Sequence, residues 1–231
     1  MKLDKYLSEY GNVSRRQAIF NIREGHVSVN GRSVSRIIEV VQGDKIKLDD
    51  ILIVPQIRKK PVIIAYNKPK GIVCTTEKIE GNIIDAIGFS ETIYPIGRLD
   101  KDSEGLILLT NQSALIDKIA NASNFHEKEY EVTLNLPLRD AFIREISQGI
   151  IIQGEKTRPC IVTKVPGTKR IFRITLTQGM NRQIRRMCNA YNYQVIKLQR
   201  LRIMNVVLGN LKTGEWRTVE KSELDELLQQ L

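Results

Sequence analysis

The chain has 231 residues, of which 42% are hydrophobic, enough for one large domain or for a small domain joined to a larger one. Lysine and arginine number 36 against 26 acidic residues, and the net charge of +10 favours a polyanionic partner such as nucleic acid. Three separated cysteines, a polar amino terminus and the lack of a long apolar run argue against a disulfide framework, a zinc site, a secretory signal and a membrane span. We therefore expect a cytoplasmic protein without a membrane partner.

Residues 1–60 have the pattern of a separate unit. Apolar residues at helical spacing predict a first helix over residues 3–10. The capping-box pattern Ser14–Gln17 predicts a second helix, which should end near Gly25. Valines that alternate with polar residues in 27–31 lead into Asn-Gly, a strong hairpin signal. The unit should therefore consist of two helices followed by a small sheet.

Positive charge is concentrated in this first unit. Residues 1–60 hold twelve basic and seven acidic residues, a balance of +5, which is half of the excess in the whole chain. The stretches 3–7, 14–18 and 25–31 resemble, in this order, the S4 RNA-binding domain. The resemblance implies that basic residues around the second helix contact RNA backbone. These residues are Arg15, Arg16 and Arg23.

Residues 61–231 are predicted to form a second domain, after a charged linker at 57–61 that ends in proline. Short apolar runs predict strands at 62–66, 106–109, 130–136, 171–177 and 195–198. Helical patterns cover 112–121, 138–148, 180–191 and 221–231. Since strands and helices mix without a regular βαβ rhythm, we expect an α+β fold, with a largely antiparallel mixed sheet flanked by helices.

Three acids alternate at the entry to the strand over 106–109, namely Asp100, Asp102 and Glu104. A calcium-binding EF-hand loop would need a carboxylate at the twelfth position, which is Asn111, and a helix on each side, so we predict no metal site. Asp100 and Asp102 are close enough in sequence for a glycosidase-like acid pair, but the basic chain argues against a neutral glycan. For Asp102 and Glu104 we favour structural roles, in capping the turn or in pairing with neighbouring lysines.

Residues 95–106 resemble the catalytic motif of the RsuA-like pseudouridine synthases. Three further stretches, 67–71, 126–130 and 176–187, resemble other motifs of that family and follow in its order. Together with the S4-like unit, the resemblance spans essentially the whole chain. It implies an enzyme that isomerises a uridine of structured RNA to pseudouridine, a reaction that needs no cofactor.

The resemblance also implies roles for single residues. Asp100 would be the catalytic carboxylate, and Arg185 would hold it by a salt bridge. Tyr130 would stack on the target base and take part in the removal of the C5 proton. The target base must be flipped out of its stem-loop, and Arg98 is placed to fill the vacated stack or to hold phosphate. The remaining expected substrate contacts are Ile184 in the base pocket, Arg182, and Lys68, whose role could equally be structural.

The choice of RNA is less sharply defined by the sequence. The stretches 75–78, 178–183 and 202–206 resemble a branch of the family that modifies large-subunit ribosomal RNA. A sibling specificity for small-subunit ribosomal RNA or for a tRNA anticodon loop stays open, because RNA recognition depends on loop shape and splayed bases. The alternative of another class is a non-catalytic RNA-binding or ribosome-assembly factor, which would not need Asp100. In either case we expect a monomer.

Overall fold

The computed structural model describes residues 1–11, 13–55 and 61–231. The chain divides into two compact units, Met1–Lys60 and Pro61–Leu231. Residues 57–60 of the predicted linker lie outside the described residues. Within the described ranges, no helix is long and apolar enough to cross a membrane.

The first unit contains two helices and a small antiparallel sheet, as predicted. The helices are α1 (Leu3–Tyr10) and α2 (Arg15–Arg23), and the strands are β1 (Val27–Val29), β2 (Arg32–Ser33), β3 (Ile46–Leu48) and β4 (Ile51–Ile53). The strands pair in the order β2-β1-β3-β4. Asn30 and Gly31 both have positive φ, which the predicted two-residue hairpin turn requires. The core of the unit includes Leu3, Leu7, Ala18, Ile22, Val27 and Ile46.

The capping box predicted for α2 is half formed. The Ser14 hydroxyl accepts a hydrogen bond from the Gln17 backbone N–H over 3.1 Å, which satisfies a donor of the first helical turn. The Gln17 side-chain amide donates to Asn21 instead of reaching back to the cap. Gly25, with a φ of 79°, follows the end of the helix as predicted.

The second unit mixes helices and strands along the chain without a regular alternation. Its helices are α3 (Ile83–Ile87), α4 (Ser113–Ala120), α5 (Asp140–Ser147), α6 (Gln183–Asn189) and α7 (Lys221–Gln229), with a short 3-10 helix at Ala122–Asn124. Its strands are β5 (Ile63–Lys68), β6 (Tyr94–Ile96), β7 (Glu104–Thr110), β8 (Lys128–Leu134), β9 (Ile151–Ile152), β10 (Glu155–Lys156), β11 (Ile161–Lys164), β12 (Ile171–Leu176), β13 (Val195–Ile203), β14 (Val206–Val207) and β15 (Trp216–Thr218).

One large sheet organises this unit. Its strands pair in the order β11-β12-β8-β13-β7-β5-β15, while β6 pairs with β7 and β14 with β13. The pairing of β13 with β7 is parallel, and the other pairs described in the sheet are antiparallel. The predicted α+β class with a largely antiparallel mixed sheet is therefore confirmed.

The apolar run 106–109 in β7 is buried on both faces of this sheet. Leu106 and Leu108 pack into a cluster with residues of α4 and α7. Ile107 and Leu109 point to the opposite face and pack with Tyr66 and residues of α3. A strand covered on both faces has a continuous rather than an alternating apolar pattern, as this run has.

The bounds of two predicted elements differ most from those in the structure. The strand predicted at 195–198 continues to Ile203, and the helix predicted over 180–191 begins only at Gln183. Helix α3 and several strands of two to four residues were not predicted, because they are too short for a periodic pattern to appear.

Candidate active site

Asp100 lies in the loop between β6 and β7, and two contacts tie this loop to the segment that follows β5. The Leu99 backbone N–H donates to the Cys74 sulfur over 3.4 Å, and the Leu99 side chain is buried. The Gly71 N–H donates to the Lys101 carbonyl over 2.8 Å. The backbone on both sides of Asp100 is thus fixed to the same segment.

Two arginines from α6 and the residue before it face the acids of this loop. Arg182 donates hydrogen bonds of 3.0 and 3.1 Å to the Asp102 carboxylate, and its Nη1 lies 3.9 Å from Asp100 Oδ2. Arg185 donates through Nη2 to the Asp102 carbonyl over 3.0 Å, and its Nε lies 3.2 Å from Asp102 Oδ2. We call Asp100, Asp102, Arg182 and Arg185 the loop layer of the site.

The salt bridge expected between Arg185 and Asp100 is not the pairing in the structure. Arg185 Nη1 donates to the Val195 carbonyl over 3.0 Å, so bonds to two main-chain carbonyls hold the guanidinium beside Asp102. Arg182 supplies the ion-pair contact of Asp100. The expectation that Asp102 pairs with neighbouring lysines is corrected in the same way, because its partners are these two arginines from a distant part of the chain.

The contacts of Asp102 determine its charge. Partial burial by itself raises the pKa of Asp102, but the hydrogen bond from Arg182 and the charges of Arg185 and Arg182 outweigh it, so the pKa lies below its usual value. The same hydrogen bond raises the pKa of the Arg182 guanidinium. Asp102 is therefore ionised at neutral pH and pairs with the charged Arg182.

An open groove of about 530 Å³ adjoins the loop layer. Its lining includes the acids Asp100 and Asp102 and the cations Lys70, Lys101 and Arg182. The volume lies in the range of small-molecule sites. Cations around two carboxylates are suited to a polyanion whose phosphates pass beside the acids. Asp100, one of the three residues predicted to be catalytic, lines this groove.

Five paired residues cross the central sheet where β7 begins. Lys68 of β5 pairs with Gly105 of β7, Gly105 with Arg200 of β13, Arg200 with Tyr130 of β8, and Tyr130 with Ile174 of β12. Directly opposed residues present their side chains to the same face of a sheet. We call these five residues the cross-strand row. The row places Tyr130, Lys68 and Arg200 on one face of the sheet, near the start of β7, the strand that follows the Asp100 loop.

Lys68 is buried within this row rather than open to a substrate. Its exposed fraction is 0%, and its ammonium donates to the carbonyls of Pro69 and Ile72, each over 2.9 Å. Burial lowers the pKa of Lys68 and outweighs the acidic groups around it. Of the two roles left open for Lys68, these contacts favour the structural one, in which the lysine holds the turn after β5.

Arg200 is a residue of the site that the sequence analysis missed. Its exposed fraction is 3%, its Nε donates to the Leu106 carbonyl over 2.6 Å, and its guanidinium carbon lies 5.9 Å from the centre of the Tyr130 ring. A side chain at Gly105 would place its Cβ 2.4 Å from the Arg200 carbonyl oxygen, so only glycine fits there. Arg200 follows Leu198 at the spacing of one strand face, which is the signal that could have found it.

Lys128 adds a further partly buried cation next to Arg200. It lies two residues before Tyr130 in β8, and its ammonium donates to the His126 carbonyl over 3.1 Å. Burial, together with the charge of Arg200, lowers the pKa of Lys128 to about 8. This face of the sheet therefore holds several cations whose bonds go to main-chain carbonyls.

Tyr130 connects two apolar clusters at the site. It packs against the cluster that contains Leu99, the residue before Asp100, and against the cluster that contains Ile184 of α6. Ile184 is buried. The apolar contacts of Tyr130 therefore link the Asp100 loop to the helix that carries Arg185.

The remaining residues predicted at the substrate are exposed. Arg98 lies on the surface two residues before Asp100. In the first unit, Arg15, Arg16 and Arg23 are exposed along α2, and Arg15 also pairs with the buried carboxylate of Asp4. Among the residues that the structure describes, no group of three or more His, Cys, Asp or Glu side chains is arranged to hold a metal ion.

Comparisons with known proteins give consistent matches to both units. Residues 62–190 match the family model of RNA pseudouridylate synthases, and residues 1–46 match the model of the S4 domain. The dual-specificity RNA pseudouridine synthase RluF of Salmonella typhi is 50% identical over 227 residues, which are 98% of this chain and 78% of that protein.

Two further matches cover nearly the whole length of both proteins. The ribosomal large subunit pseudouridine synthase B of Bacillus subtilis (strain 168) is 32% identical over 235 residues, 98% of this chain and 95% of that protein. A crystal structure of a pseudouridylate synthase has a TM-score of 0.72 to this chain at 30% identity, and the match covers 98% of this chain and 99% of that one.

Proposed function

Since the chain belongs to the RNA pseudouridylate synthase family and is an enzyme of that class, we propose that its substrate is a uridine in a stem-loop of large-subunit ribosomal RNA. The name of the Bacillus subtilis relative, which specifies the ribosomal large subunit, supports this choice. The name of the Salmonella typhi relative indicates dual specificity, so a second RNA class, such as tRNA, is the second candidate. A catalytic family match over residues 62–190 sets aside the alternative of a non-catalytic binding factor.

Asp100 is the carboxylate that carries the reaction in this proposal. In the isomerisation, the bond between ribose C1′ and uracil N1 breaks and a bond from C1′ to C5 forms, while N1 gains a proton and C5 loses one. The observation that supports the assignment is the difference between the arginine contacts of the two acids in the loop layer. Both acids line the groove, but Asp102 takes the close contacts of Arg182 and Arg185, whereas the arginine contact of Asp100 is at 3.9 Å. Its oxygens are therefore available to the ribose.

The other groups of the site position the substrate around Asp100. Arg185 acts indirectly, because it holds the backbone and carboxylate of Asp102 two residues further along the loop. Tyr130 and Ile184 provide the apolar side of the base pocket, and aromatic stacking suits a flipped base. In this proposal Arg98 holds phosphate or fills the vacated stack, and Arg182 adds a further contact to the substrate.

The first unit supplies RNA affinity in this proposal. Arg15, Arg16 and Arg23 lie exposed along α2, where guanidinium groups can neutralise backbone phosphates. Such contacts carry little sequence information, so they would fix the stem of the RNA while the second unit selects the uridine.

The decisive test compares Asp100→Asn with the matched variant Asp102→Asn. We expect the first to lower pseudouridine formation by at least about 1,000-fold, because it removes the reacting carboxylate. The second should lower it by about 10-fold, because the main-chain bonds of Arg185 remain. Both should bind the RNA within about twofold of the wild type, since neither loses a phosphate contact.

The measurement is chemical mapping of pseudouridine in ribosomal RNA and tRNA from a deletion strain complemented with each variant, followed by conversion assays on the stem-loop that loses its modification. An active Asp100→Asn enzyme, or an Asp102→Asn enzyme that is equally inactive, would contradict the assignment of Asp100. Loss of a site in tRNA alone would contradict the proposed ribosomal substrate.

A further inference from the structure

An exposed aromatic residue lies just before the strand that carries Tyr130. Phe125 ends the short 3-10 helix at Ala122–Asn124 and is 60% exposed. Its backbone is left-handed, with a φ of 58°, a conformation that a bulky side chain rarely adopts. Both features cost free energy, and strained backbone of this kind is concentrated at functional sites. Burial in the core does not account for this ring.

The ring of Phe125 rests on an arginine that is fixed by the main chain. The guanidinium carbon of Arg158 lies 4.0 Å from the ring centre, the distance of a close cation–π contact. Arg158 Nη1 donates to the carbonyls of Ala122 and Thr177 over 2.7 and 3.1 Å. Its backbone N–H donates to the Gln178 side chain over 3.0 Å. With one face of the ring covered by a fixed cation, the exposed area belongs to the opposite face and the edge.

The same contacts connect this pair to the site. Phe125 precedes Lys128, where β8 begins, by three positions, and β8 carries Tyr130. Thr177 and Gln178, which hold Arg158, begin the segment that leads to Arg182 and α6. The ring is thus fixed to the two segments that bring Tyr130 and Arg182 to the proposed active site.

We propose that Phe125, supported by Arg158, is a stacking platform for an unpaired nucleobase of the substrate RNA, distinct from the uridine that is modified. This inference rests on the proposed function, because the platform requires an RNA with unpaired, splayed bases next to the modified uridine. Unpaired bases of RNA are bound by stacking on aromatic side chains, and every base offers a π face to such a ring. The cation behind the ring adds attraction for a polyanion.

The experiment uses the full-length enzyme and the stem-loop that contains its mapped uridine. Phe125→Leu removes the π face but keeps an apolar side chain. Phe125→Gly removes the ring and relieves the left-handed backbone, so a loss of binding by this variant is not caused by unfolding. Phe125→Tyr retains the ring, and Ile161→Ala changes an exposed apolar residue of β11 as a control.

We expect the leucine and glycine variants to weaken RNA binding by roughly 5- to 100-fold, the usual effect of losing one stacked base. KM should rise to match, while the rate at saturating RNA stays within about twofold, and the salt dependence of binding should not change because no phosphate contact is lost. The Phe125→Tyr and Ile161→Ala variants should bind like the wild type.

Base stacking is measured by the fluorescence of 2-aminopurine, which is placed at each unpaired position of the stem-loop in turn. One position should be quenched by the wild type and by Phe125→Tyr, but not by the leucine and glycine variants. Unchanged affinity and quenching in both of these variants would overturn the proposal. If the mapped uridine lies outside large-subunit ribosomal RNA but Phe125-dependent quenching is seen in its stem-loop, the proposed substrate fails and the stacking platform stands. If the mapped uridine lies in large-subunit ribosomal RNA but no position shows Phe125-dependent quenching, the platform alone is contradicted.

Discussion

The loop layer and the cross-strand row hold their charged groups in different ways. In the loop layer, acids and arginines neutralise each other, and Asp102 binds both Arg182 and Arg185. In the cross-strand row, Lys68 and Arg200 are buried and donate to main-chain carbonyls. The loop layer therefore holds ion pairs at a groove, of which the Asp102–Arg182 pair is nearly half exposed, and the cross-strand row holds buried cations inside the fold.

Because of this difference, we expect the two regions to contribute differently to activity and to stability. Exposed ion pairs add little to stability, but they set the orientation of the groups that they hold. Burying a cation is costly because the charge loses its hydration. The cost is offset where the cation donates hydrogen bonds to the surrounding backbone. Substitutions in the loop layer should therefore change the reaction more than the fold, while substitutions among the buried cations should change stability and its dependence on pH.

The largest effect within this comparison is expected for Arg185→Lys. A lysine cannot bind the Val195 carbonyl, the Asp102 carbonyl and the Asp102 carboxylate together, so the Asp102 end of the Asp100 loop is held less precisely. We expect single-turnover conversion to fall by about 100-fold, the scale of an ångström-sized misplacement of reacting groups. The free energy of unfolding should fall by about 1–2 kcal/mol, because Arg185 is largely buried and one main-chain carbonyl loses its donor.

A matched control is available on the same helix. Arg186 hydrogen-bonds to Gln153 and Asn181 and has no acid of the loop layer as a partner in its described contacts. Arg186→Lys should therefore retain most of the activity. If Arg185→Lys loses stability in proportion to activity, or if both variants lose activity equally, the loop layer does not have the orienting role assigned to it.

The two regions also differ in how far the sequence predicts them. Helix α1, the Asn30-Gly31 turn and the strand over 106–109 follow from local patterns, because adjacent residues alone determine spacing and turn chemistry. In the loop layer, the sequence analysis assigned Asp100, Arg182 and Arg185 to the site and gave Asp102 a structural role, but it did not predict which arginine pairs with which acid. Arg182 has a left-handed backbone with a φ of 51°, and α6 begins only after it, so the direction of both arginines depends on a local bend that no periodicity reveals.

The cross-strand row could not be predicted from local patterns at all. Lys68, Gly105, Arg200 and Tyr130 become neighbours only through the order and register of four strands that lie far apart in the sequence. The predicted strand at 195–198 ended before Arg200, and a lysine after an apolar run is ordinarily exposed. The close approach of Arg200 to Gly105 is equally a property of the register.

An effect of intermediate size is expected for Lys68→Met. The substitution removes two hydrogen bonds from a charged donor and leaves the Pro69 and Ile72 carbonyls without their partner, while it also removes a desolvated charge. We expect the loss of bonds to dominate, with a decrease of about 1–3 kcal/mol in the free energy of unfolding. Urea denaturation measures it, with the exposed Lys156→Met of β10 as the control. Equal stability of the two variants would show that Lys68 does not hold this turn.

The smallest effect is expected for Lys128→Met, and it should appear only as a change with pH. Burial lowers the pKa of Lys128 in the folded protein to about 8, against its usual value of 10.5. Below pH 8 the lysine is charged in both states, and the folded state bears the cost of a buried charge. Between these two values the unfolded chain holds the proton that the folded protein has released, so this group's contribution to stability rises with pH.

Lys128→Met removes this contribution. Between pH 7 and pH 9, the melting temperature of the wild type should therefore rise by roughly 2–4 °C relative to that of the variant, which corresponds to about 1 kcal/mol for a domain of this size. Comparing the two proteins cancels the titration of other groups. Lys156→Met is the control, and its offset from the wild type should not vary with pH. A constant offset for Lys128→Met would mean that its ammonium is as well solvated as an exposed lysine, and the contrast between the buried cations and the loop layer would then rest on Lys68 and Arg200 alone.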